Sequence, residues 1–438
     1  MAMSLLDRIV NHEARIVVVG LGYVGLPLAV EFARAGFPVV GYDLDARKAE
    51  AVNAGRSYIP DVPTPTVAAL VEAGRLSATT DEAALDAADA VLICVPTPLG
   101  KSRDPDMSFI AGAVDMVARH RHPDLLVVLE STTYPGTTEE VLAPTLTAPR
   151  DGGRRLTLGK DLFLAFSPER VDPGNRTWTT RNTPKVLGGM TPACTAAART
   201  LYQQAVERVV VVSSPTAAEM AKLLENTFRA VNIALVNEIA LMCHALKIDV
   251  WEVIEAARTK PFGFMPFYPG PGLGGHCIPV DPFYLSWKAR MVGFEARFID
   301  LAGQVNGSMP HHVVRLVADA LNDAARPIKG SRVHVLGVAY KRDADDLRQS
   351  PALDVLALLA ERGADLVYSD PFIPAFSHLG RDYRSVPADP ESLARADCVV
   401  VLTDHSAFDW RMVAKASRLV VDTRNALREH PSAKVRRL

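Results

Sequence analysis

The feature that most constrains the fold is a glycine-rich turn near the start of the chain, Gly20-Leu21-Gly22-Tyr23-Val24-Gly25. It follows a short apolar run, RIVVV, and precedes a helical stretch, LPLAVEFARAG. A second apolar run, PVVGY, then ends at Asp43. The order strand, GxGxxG, helix, strand and acid is typical of the first βαβ unit of a dinucleotide-binding sheet. We therefore predict that the chain begins with a doubly wound, parallel α/β domain.

Each glycine of this turn has a predicted physical role. Gly20 makes the tight turn, Gly22 lets a pyrophosphate approach the helix N-terminus, and Gly25 lets the helix pack closely on the strand. A GxGxxG alone could be an ordinary glycine-rich turn in an α/β fold. Because the flanking strand, helix and acid are all present here, the sequence predicts a dinucleotide site.

The acid and two basic residues decide which dinucleotide is expected. Asp43 would accept hydrogen bonds from the adenosine ribose and repel a 2′-phosphate, so we predict NAD rather than NADP. Arg47 and Lys48 keep the alternative open, since basic groups at this place could bind a phosphate instead. The residues of this segment assigned to the cofactor are Gly20, Gly22, Tyr23, Val24, Gly25, Asp43, Arg47 and Lys48.

Three polar side chains are predicted at the ends of later strands. ADAVLICVP leads to Thr97, LLVVLES leads to Thr132, and LFLAFSP leads to Glu169. Ligands of open parallel sheets bind at the carboxyl ends of the strands, so these side chains are placed to meet the cofactor or the reacting group. The alternatives are that the hydroxyl groups form turns and that Glu169 forms an ion pair in its loop rather than holding a water.

The stretch 262–281, FGFMPFYPGPGLGGHCIPVD, is too rich in glycine and proline for the interior of a helix or strand. Cys277 lies among its glycines and is expected to be partly exposed. If Pro279 opens a helix, Cys277 lies near a helix N-terminus, where the dipole lowers a thiol pKa. Asp281 follows closely enough to share the site. We interpret Cys277 as a nucleophile rather than as a buried structural cysteine.

Residues 216–258 have helical periodicity with almost no breaker, which predicts one long helix. Much of this helix is apolar on most of its circumference, so we expect it to lie between domains or subunits and to form a dimer contact. Lys222 and Asn226 lie four residues apart on one face. That pair is either a solvated edge or, if the edge faces Cys277, part of its site. The helical pattern resumes after the loop and continues to about Ala325.

The C-terminal third repeats the α/β pattern of the N-terminal third. The turn after its first strand, GVAYK, contains the single glycine Gly337 and no GxGxxG, so a second dinucleotide site is not expected. Lys341, Arg342 and Arg348 cluster there and could bind phosphate oxygens. The alternative is a solvated cluster balanced by neighbouring aspartates. The predicted domains are 1–213 (NAD-binding), 214–325 (helical, with the cysteine loop) and 326–438 (a second Rossmann-like domain).

Composition excludes several classes of function. The net charge of −2 and the pI of about 6.6 do not suggest a nucleic-acid or anionic-membrane surface. We find no apolar run as long as a membrane span, and the five scattered cysteines contain no CxxC pair. We therefore expect a reducing, cytoplasmic location. No group of His, Cys or carboxylate residues has metal-ligand spacing, so no metal is predicted.

Taken together, these segments resemble the UDP-glucose/GDP-mannose dehydrogenase family over nearly the whole chain. The segments that carry the resemblance are GLGYVGLP (20–27), STTYPGTT (131–138), SPER (167–170), AKLLENTFRAVNIALVNE (221–238), GHCIPVDP (275–282) and GVAYKRDADDLRQSP (337–351). HCIPVDP replaces the SCFPKD of members that act on UDP-glucose, and Val280 stands where those members have lysine. The loop is most similar to members that oxidise UDP-N-acetylglucosamine.

The resemblance implies two Rossmann-like domains joined by a long central helix that also forms a homodimer. It implies oxidation of C6 of UDP-N-acetylglucosamine by two NAD, with Cys277 as covalent nucleophile. The same reaction on UDP-N-acetylmannosamine, UDP-N-acetylgalactosamine or UDP-glucose is the alternative within the family. A hydroxyacid dehydrogenase that makes one NADH per substrate, and a nucleotide-sugar sensor that binds without turnover, are the alternatives outside it.

The resemblance also implies a role for each matching residue. Lys222, Asn226 and Asp281 would surround the reacting C6, and Thr132 and Glu169 would position water. Arg348 would join Thr97 and Thr132 at the cofactor. The implied substrate-binding residues are Glu169, Arg170, Lys222, Asn226, Arg258, Phe267, Tyr268, Gly274 and Lys341.

Overall fold

The structure, a computed structural model, describes residues 3–100, 104–149, 153–172, 174–175, 177–275 and 277–438. It divides into two compact units. The first comprises Met1–Glu225 and Trp287–Val292, and the second comprises Asn226–Ser286 and Gly293–Leu438.

The first unit is built on one large sheet. Its strands β1–β8 are Ile16–Val19, Val39–Tyr42, Leu76–Thr79, Ala90–Ile93, Leu125–Leu129, Leu162–Phe166, Lys185–Gly189 and Val209–Val211. Its helices α1–α7 are Leu5–Val10, Gly25–Arg34, Ala46–Asn53, Thr64–Glu72, Ser108–His120, Ala143–Thr147 and Pro192–Tyr202, with a 3₁₀ turn at Glu82–Ala87 and a π turn at Thr138–Leu142.

The strand order in this sheet is β3-β2-β1-β4-β5-β6-β7-β8. The chain passes outward from β1 in one direction and then returns to β4 on the other side, so the switch point lies between β1 and β4. The pairing of β6 with β7 is antiparallel, whereas β7 and β8 are parallel to each other. The doubly wound prediction is confirmed, with this one reversal at the edge of the sheet.

Both faces of the sheet are covered by apolar side chains. In β1, Ile16 and Val18 belong to one hydrophobic cluster, and Val17 and Val19 belong to another on the opposite face. Because side chains alternate along a strand, β1 is buried on both sides, as expected of a central parallel strand. The glycine turn that follows β1 is therefore held by a rigid strand.

The second unit contains a smaller parallel sheet. Its helices α8–α14 are Pro215–Leu246, Val250–Arg258, Asp281–Met291, Arg297–Asp323, Pro351–Glu361, Pro390–Arg395 and Trp410–Ala416; α8 starts and α10 ends in the first unit. Its strands β9–β15 are Arg332–Leu336, Asp365–Ser369, Ala375–His378, Arg381–Arg384, Cys398–Val401, Val420–Asp422 and Val435–Arg437. The sheet order β10-β9-β13-β14-β15 is parallel throughout, and β11 and β12 form a separate hairpin.

The single helix predicted over 216–258 is wrong in one respect. α8 ends at Leu246, and α9 begins at Val250. Lys247 has a φ of 58°, and the Ile248 N–H donates to the Cys243 carbonyl, which closes the end of α8. Asp249 then caps α9 by accepting hydrogen bonds from the backbone of Trp251 and Glu252. Hydrophobic periodicity continues across this break, so periodicity alone does not reveal it.

The helix predicted to continue to about Ala325 is also interrupted. α10 ends at Met291, α11 begins at Arg297, and Gly293 between them has a φ of 77°. A glycine adopts this left-handed conformation at little steric cost, which ends one helix and starts another. Pro310 lies inside α11 without ending it.

Among the described residues, α8 is the one helix long and apolar enough to cross a membrane by length and composition. The prediction that no apolar run is as long as a membrane span is therefore wrong for α8, judged by its length and composition. Core helices of proteins outside membranes pass the same test, so one such helix is weak evidence for a membrane span.

The break after α8 yields a stability prediction. A non-glycine residue at positive φ is strained, so Lys247→Gly should raise the free energy of unfolding by about 0.5–1 kcal/mol. Urea unfolding should show a higher midpoint for this variant. Lys247→Ala is the matched control, because alanine keeps the Cβ atom that causes the strain. An equal rise in both variants would contradict the explanation.

Candidate active site

The glycine turn lies at the carboxyl end of β1. Gly20 has a φ of 93°, and a Cβ there would lie 2.5 Å from the Cys94 carbonyl oxygen. A Cβ on Gly25 would lie 1.7 Å from the Gly20 oxygen, so the start of α2 cannot accept one. A Cβ on Gly22 would have no atom within 4 Å. Two glycines are thus required by the fold itself, and the third borders open space where a pyrophosphate would fit.

Asp43 is buried at the end of β2 and is tied to the turn. Its Oδ2 atom accepts hydrogen bonds from the Leu21 N–H at 2.8 Å and from Lys48 Nζ at 2.8 Å. Arg47 pairs with Asp45 and points outward. Both basic residues that could have favoured a 2′-phosphate are therefore engaged by carboxylates. The open turn and the carboxylate fit NAD.

Thr132 lies in a loop of hydroxyl groups after β5. Its neighbours on both sides are buried and used by the fold: Ser131 donates to the Val95 carbonyl, and Thr133 is bonded to Thr137. Thr132 is the partly exposed residue between them. Because Ser131 and Thr133 are buried on either side, Thr132 is the hydroxyl of this loop that a ligand can reach. Thr97, after β4, is also half-buried.

Glu169 follows β6, and its carboxylate is held on both oxygens. Oε1 accepts hydrogen bonds from the backbone N–H groups of Arg170 at 2.7 Å and Val171 at 2.8 Å. Oε2 lies 3.4 Å from Lys185 Nζ. Burial opposes the charge, but Lys185, the two N–H groups and Lys222 outweigh it and lower the pKa of Glu169. Glu169 is therefore a fixed, ionised group.

A buried carboxylate ties α8 to the Thr132 loop. Glu219 accepts hydrogen bonds from the Gly136 N–H at 2.6 Å, and from the N–H and hydroxyl of Thr138 at 2.9 and 2.6 Å. On the same helix, Glu225 pairs with Arg170 at 2.6 Å. Lys222, which is buried, lies on the helix between these two anchors. The first unit thus fixes the elements that carry Thr132, Glu169 and Lys222.

In the second unit, the structure brings together Asn226, Asp281 and Cys277. Asn226 Nδ2 donates to Asp281 Oδ2, and both side chains are buried. The Asp281 N–H donates to the Cys277 carbonyl at 2.8 Å, so Cys277 lies one turn before α10. Cys277 is partly exposed, as predicted, whereas the other four cysteines are buried. This is the arrangement expected of an accessible thiol beside a held carboxylate.

The cysteine loop is anchored by buried amides. The Gly270 N–H donates to Asn237 Oδ1 at 3.0 Å, and Asn237 Nδ2 donates to Asn306 Oδ1 at 2.9 Å. Asn306 in turn donates to the Ala230 carbonyl at 3.1 Å. This chain of amides connects the loop to the long helices α8 and α11.

The same loop packs on the C-terminal α/β domain. The Gly275 N–H donates to the Arg348 carbonyl at 3.1 Å. A Cβ on Gly274 would lie 2.9 Å from the side chains of both Tyr340 and Pro351. Gly274, predicted as a substrate residue, is thus required for the close approach of the two loops.

The remaining predicted substrate residues, and Arg348, which is predicted at the cofactor, lie near the end of α9 or in the 337–350 loop. Tyr268 donates to Glu255 at 2.8 Å, and Arg258 approaches the Tyr268 hydroxyl at 3.4 Å. Phe267 packs edge-on against Phe228, with ring centroids 5.8 Å apart. In the other group, Lys341 Nζ lies 5.7 Å from the Tyr340 ring centroid, and Arg348 pairs with Asp346 at 2.6 Å.

The acid of the second α/β domain differs from Asp43 in its bonding. Asp370, at the end of β10, accepts hydrogen bonds from the N–H groups of Val338 and Ala339 through Oδ2, which also lies 3.0 Å from His405 Nε2. Its Oδ1 atom accepts two further backbone N–H groups. A carboxylate so fully bonded has little capacity left for a ribose, which explains physically why this domain differs from the first.

Sequence reasoning missed several residues around the site. Glu130 and Lys185 are buried charges at the ends of strands, and Arg424 is a basic residue after β14 whose Nε donates to the Leu402 carbonyl at 2.9 Å. The available signal was a charged residue adjoining an apolar strand, since such a charge requires a partner. The described residues contain no group of His, Cys, Asp and Glu that could hold a metal.

Comparison with known proteins gives matches along the chain. Models of the UDP-glucose/GDP-mannose dehydrogenase family match three successive segments: the NAD binding domain at residues 14–206, the central domain at 216–308 and the UDP binding domain at 334–429.

Individual relatives match over most of their length. The NDP-N-acetyl-D-galactosaminuronic acid dehydrogenase of Ralstonia nicotianae is 37% identical over 96% of this chain and 98% of its own. The UDP-N-acetyl-D-mannosamine dehydrogenase of Escherichia coli is 38% identical over 90% and 94%. The solved UDP-D-ManNAc dehydrogenase of Pyrococcus horikoshii superposes with a TM-score of 0.86 and 33% identity, covering 97% and 98%.

The glycine geometry predicts that two substitutions separate binding from folding. Gly22→Ala should leave the melting temperature unchanged but weaken NAD binding at least about tenfold, because the new methyl group occupies the pyrophosphate space. Gly25→Ala should instead lower the melting temperature, since its Cβ collides with the backbone. Calorimetric titration with NAD and thermal unfolding measure the two effects. Gly112→Ala, in open space on α5, is the matched control. Wild-type NAD affinity in Gly22→Ala would contradict the assignment.

Proposed function

The chain belongs to the UDP-glucose/GDP-mannose dehydrogenase family, and on this premise we propose that it oxidises the C6 hydroxyl of a UDP-N-acetylhexosamine to a carboxylate. The family assignment establishes an NAD-dependent nucleotide-sugar dehydrogenase. The observation that carries the finer proposal is the partly exposed Cys277 beside the buried Asn226–Asp281 pair.

The identity of the sugar is proposed from the sequence of the cysteine loop and from the names of the relatives, which point to different N-acetylhexosamines. The loop around Cys277 resembles members that act on UDP-N-acetylglucosamine. The relatives cited above are named for N-acetyl-D-mannosamine and N-acetyl-D-galactosaminuronic acid. All are N-acetylated, so the class of substrate is common to both sources. Because a relative and a solved structure are both named for mannosamine, UDP-N-acetylmannosamine is our first candidate, ahead of its epimers.

Cys277 is proposed to retain the half-oxidised sugar. NAD, when bound at the glycine turn, would supply the hydride acceptor for each of the two oxidations. The thiolate of Cys277 adds to the C6 aldehyde to give a thiohemiacetal, whose oxidation gives a thioester. Water then releases the carboxylate and restores the thiol. The balance is one alcohol, one water and two NAD to one acid, two NADH and protons. Covalent capture prevents the aldehyde from diffusing away between the oxidations.

Five further side chains suit the charges that develop during this chemistry. An ammonium at Lys222 and an amide N–H at Asn226 both stabilise a negative oxygen on C6. Asp281 is held by Asn226 and is proposed to handle protons around the thiohemiacetal. Thr132 and Glu169 are proposed to hold the hydrolytic water, since Thr132 is partly exposed and Glu169 presents a fixed carboxylate.

The other predicted ligand contacts are retained as proposals. Arg348 is assigned to the cofactor phosphates and Lys341 to the substrate. Arg170, Arg258, Phe267, Tyr268 and Gly274 are assigned to the substrate, although several also have structural partners described above. The three-domain division and the cytoplasmic location also stay predictions.

A homodimer through α8 is part of the proposal. This helix exposes an apolar row on its surface, comprising Met220, Leu224, Phe228, Leu235, Met242 and Leu246. An uncovered apolar row of this length is unfavourable in water, and a second copy of the same helix would cover it.

The proposal is tested by the NADH yield on a panel of UDP-sugars. Purified protein should form two NADH per sugar, with the highest kcat/KM on UDP-N-acetylmannosamine among its N-acetyl epimers and UDP-glucose. A higher kcat/KM for another N-acetylhexosamine would change the epimer and keep the class. One NADH per substrate would favour a simple hydroxyacid dehydrogenase. Tight sugar binding without NADH would favour a sensor.

The covalent step is tested by Cys277→Ser. The serine variant should stall after the first oxidation or at a slowly hydrolysed ester, because an alcohol is a weaker nucleophile than a thiolate. The measurement is NADH formed per enzyme in a rapid-quench experiment. Cys243→Ser, at a buried cysteine on α8, is the matched control. A Cys277→Ser variant with wild-type NADH yield and rate would exclude the covalent scheme.

A further inference from the structure

A lysine and a glutamate are paired inside the core of the first unit. Lys185, the first residue of β7, is 3% exposed, and Glu130, which follows β5, is 1% exposed. Lys185 Nζ lies 2.5 Å from Glu130 Oε2, and the Tyr202 hydroxyl donates to Glu130 Oε1. The ammonium also lies 5.7 Å from the centroid of the Tyr202 ring. Both oxygens of Glu130 therefore have a donor within the core.

The same lysine extends from the core to Glu169. Its ammonium is 3.4 Å from Glu169 Oε2, on the oxygen that the backbone N–H groups do not hold. Lys185 therefore contacts one carboxylate that is sealed in the core and one that borders the loop after β6. A buried ion pair contributes little net stability compared with apolar residues of similar size. Stability alone therefore does not explain why the Lys185 ammonium also contacts Glu169.

We infer that Lys185, held by Glu130 and Tyr202, is a positioning residue that orients Glu169 and keeps it ionised so that it accepts a hydrogen bond from the hydrolytic water. The inference rests on the proposed function, because the water belongs to the thioester step. Lys185 itself touches neither sugar nor cofactor in this scheme.

The charged groups around Lys185 and Glu169 are consistent with this role. Burial raises the pKa of Glu130 to about 7, whereas the pKa of Glu169 is lowered despite its burial. Lys222 on α8 adds a second positive charge toward Glu169. Arg170 is occupied by Glu225 and the Pro184 carbonyl, and Cys94 has a raised pKa because it is buried. Of the charges around Glu169, that of Lys185 stabilises its ionised form most at neutral pH.

The sign of the pH effect follows from this arrangement. Glu169 with a lowered pKa stays ionised as the pH falls, and hydrolysis continues into the acid range. Without the ammonium the pKa of Glu169 rises, so the same loss of hydrolysis occurs at higher pH. A nearby opposite charge shifts a carboxyl pKa by about 1–3 units, so we expect the acid limb to move up by at least about one pH unit.

The experiment compares the acid limbs of four proteins between pH 3.5 and 8. They are the wild type, Lys185→Met, Lys185→Arg and the double variant Lys185→Met/Glu130→Gln. The readout is the rate at which the sugar adduct on Cys277 is lost, followed by mass spectrometry. The double variant leaves no unpaired charge in the core, so it tests the role of Lys185 even if Lys185→Met alone fails to fold. Arg154→Met, which removes the cation of the Arg154–Asp161 pair elsewhere in this unit, is the matched control.

The expected result is an acid limb displaced upward in both methionine variants and restored towards wild type by arginine, with no displacement in Arg154→Met. An acid limb of the double variant that coincides with the wild type would overturn the inference and assign Lys185 to core packing. A wild-type protein that forms no NADH and no Cys277 adduct with any sugar would instead overturn the proposed function, and the inference with it.

Discussion

The hydrogen bonds of Glu219 are the constraint on which the candidate site depends. This carboxylate is fully buried in α8, and its bonds to the loop after β5 fix both the rotation and the register of the helix. Lys222 and Asn226 follow at spacings that place them on the same face. A helix free to rotate by one residue would turn that face by about 100°. The rotation and register of the helix segment that carries Lys222 and Asn226 are thus set by Glu219, to which no part in the proposed chemistry is assigned.

Much of the fold could be predicted because its signals are local. Apolar runs bounded by glycine and proline predicted β1, β2, β4, β5 and β6 of the large sheet, and the glycine turn predicted the first βαβ unit. The short strands β3, β7, β8 and β15 were not predicted. The breaks at Lys247 and Gly293 were missed, since apolar periodicity continues across both and a single backbone angle ends each helix. The reversed β6–β7 pairing was also missed, because strand direction depends on how distant segments meet rather than on their composition.

Candidate site residues could be named from the sequence where one residue type has a specific chemical reason to occupy its position, and their roles stay predictions. Cys277 among glycines and Glu169 at a strand end are of this kind. The groups that hold them were not predictable: Asn237 reaches Gly270, and Lys185 reaches Glu130, across intervals of 33 and 55 residues. Each looks ordinary in the sequence, and its partner becomes evident only when the chain is folded. The structure therefore adds mostly the contacts that hold the candidate residues in place.

The bond from Gly275 to the Arg348 carbonyl affects how such enzymes can be recombined. Together with the packing of Gly274 on Tyr340 and Pro351, it makes the cysteine loop and the 337–350 loop one continuous backbone assembly. A C-terminal domain grafted from another member of the family would place a different 337–350 loop against the backbone of the cysteine loop. A chimera that preserves this packing would therefore have to exchange both loops at once.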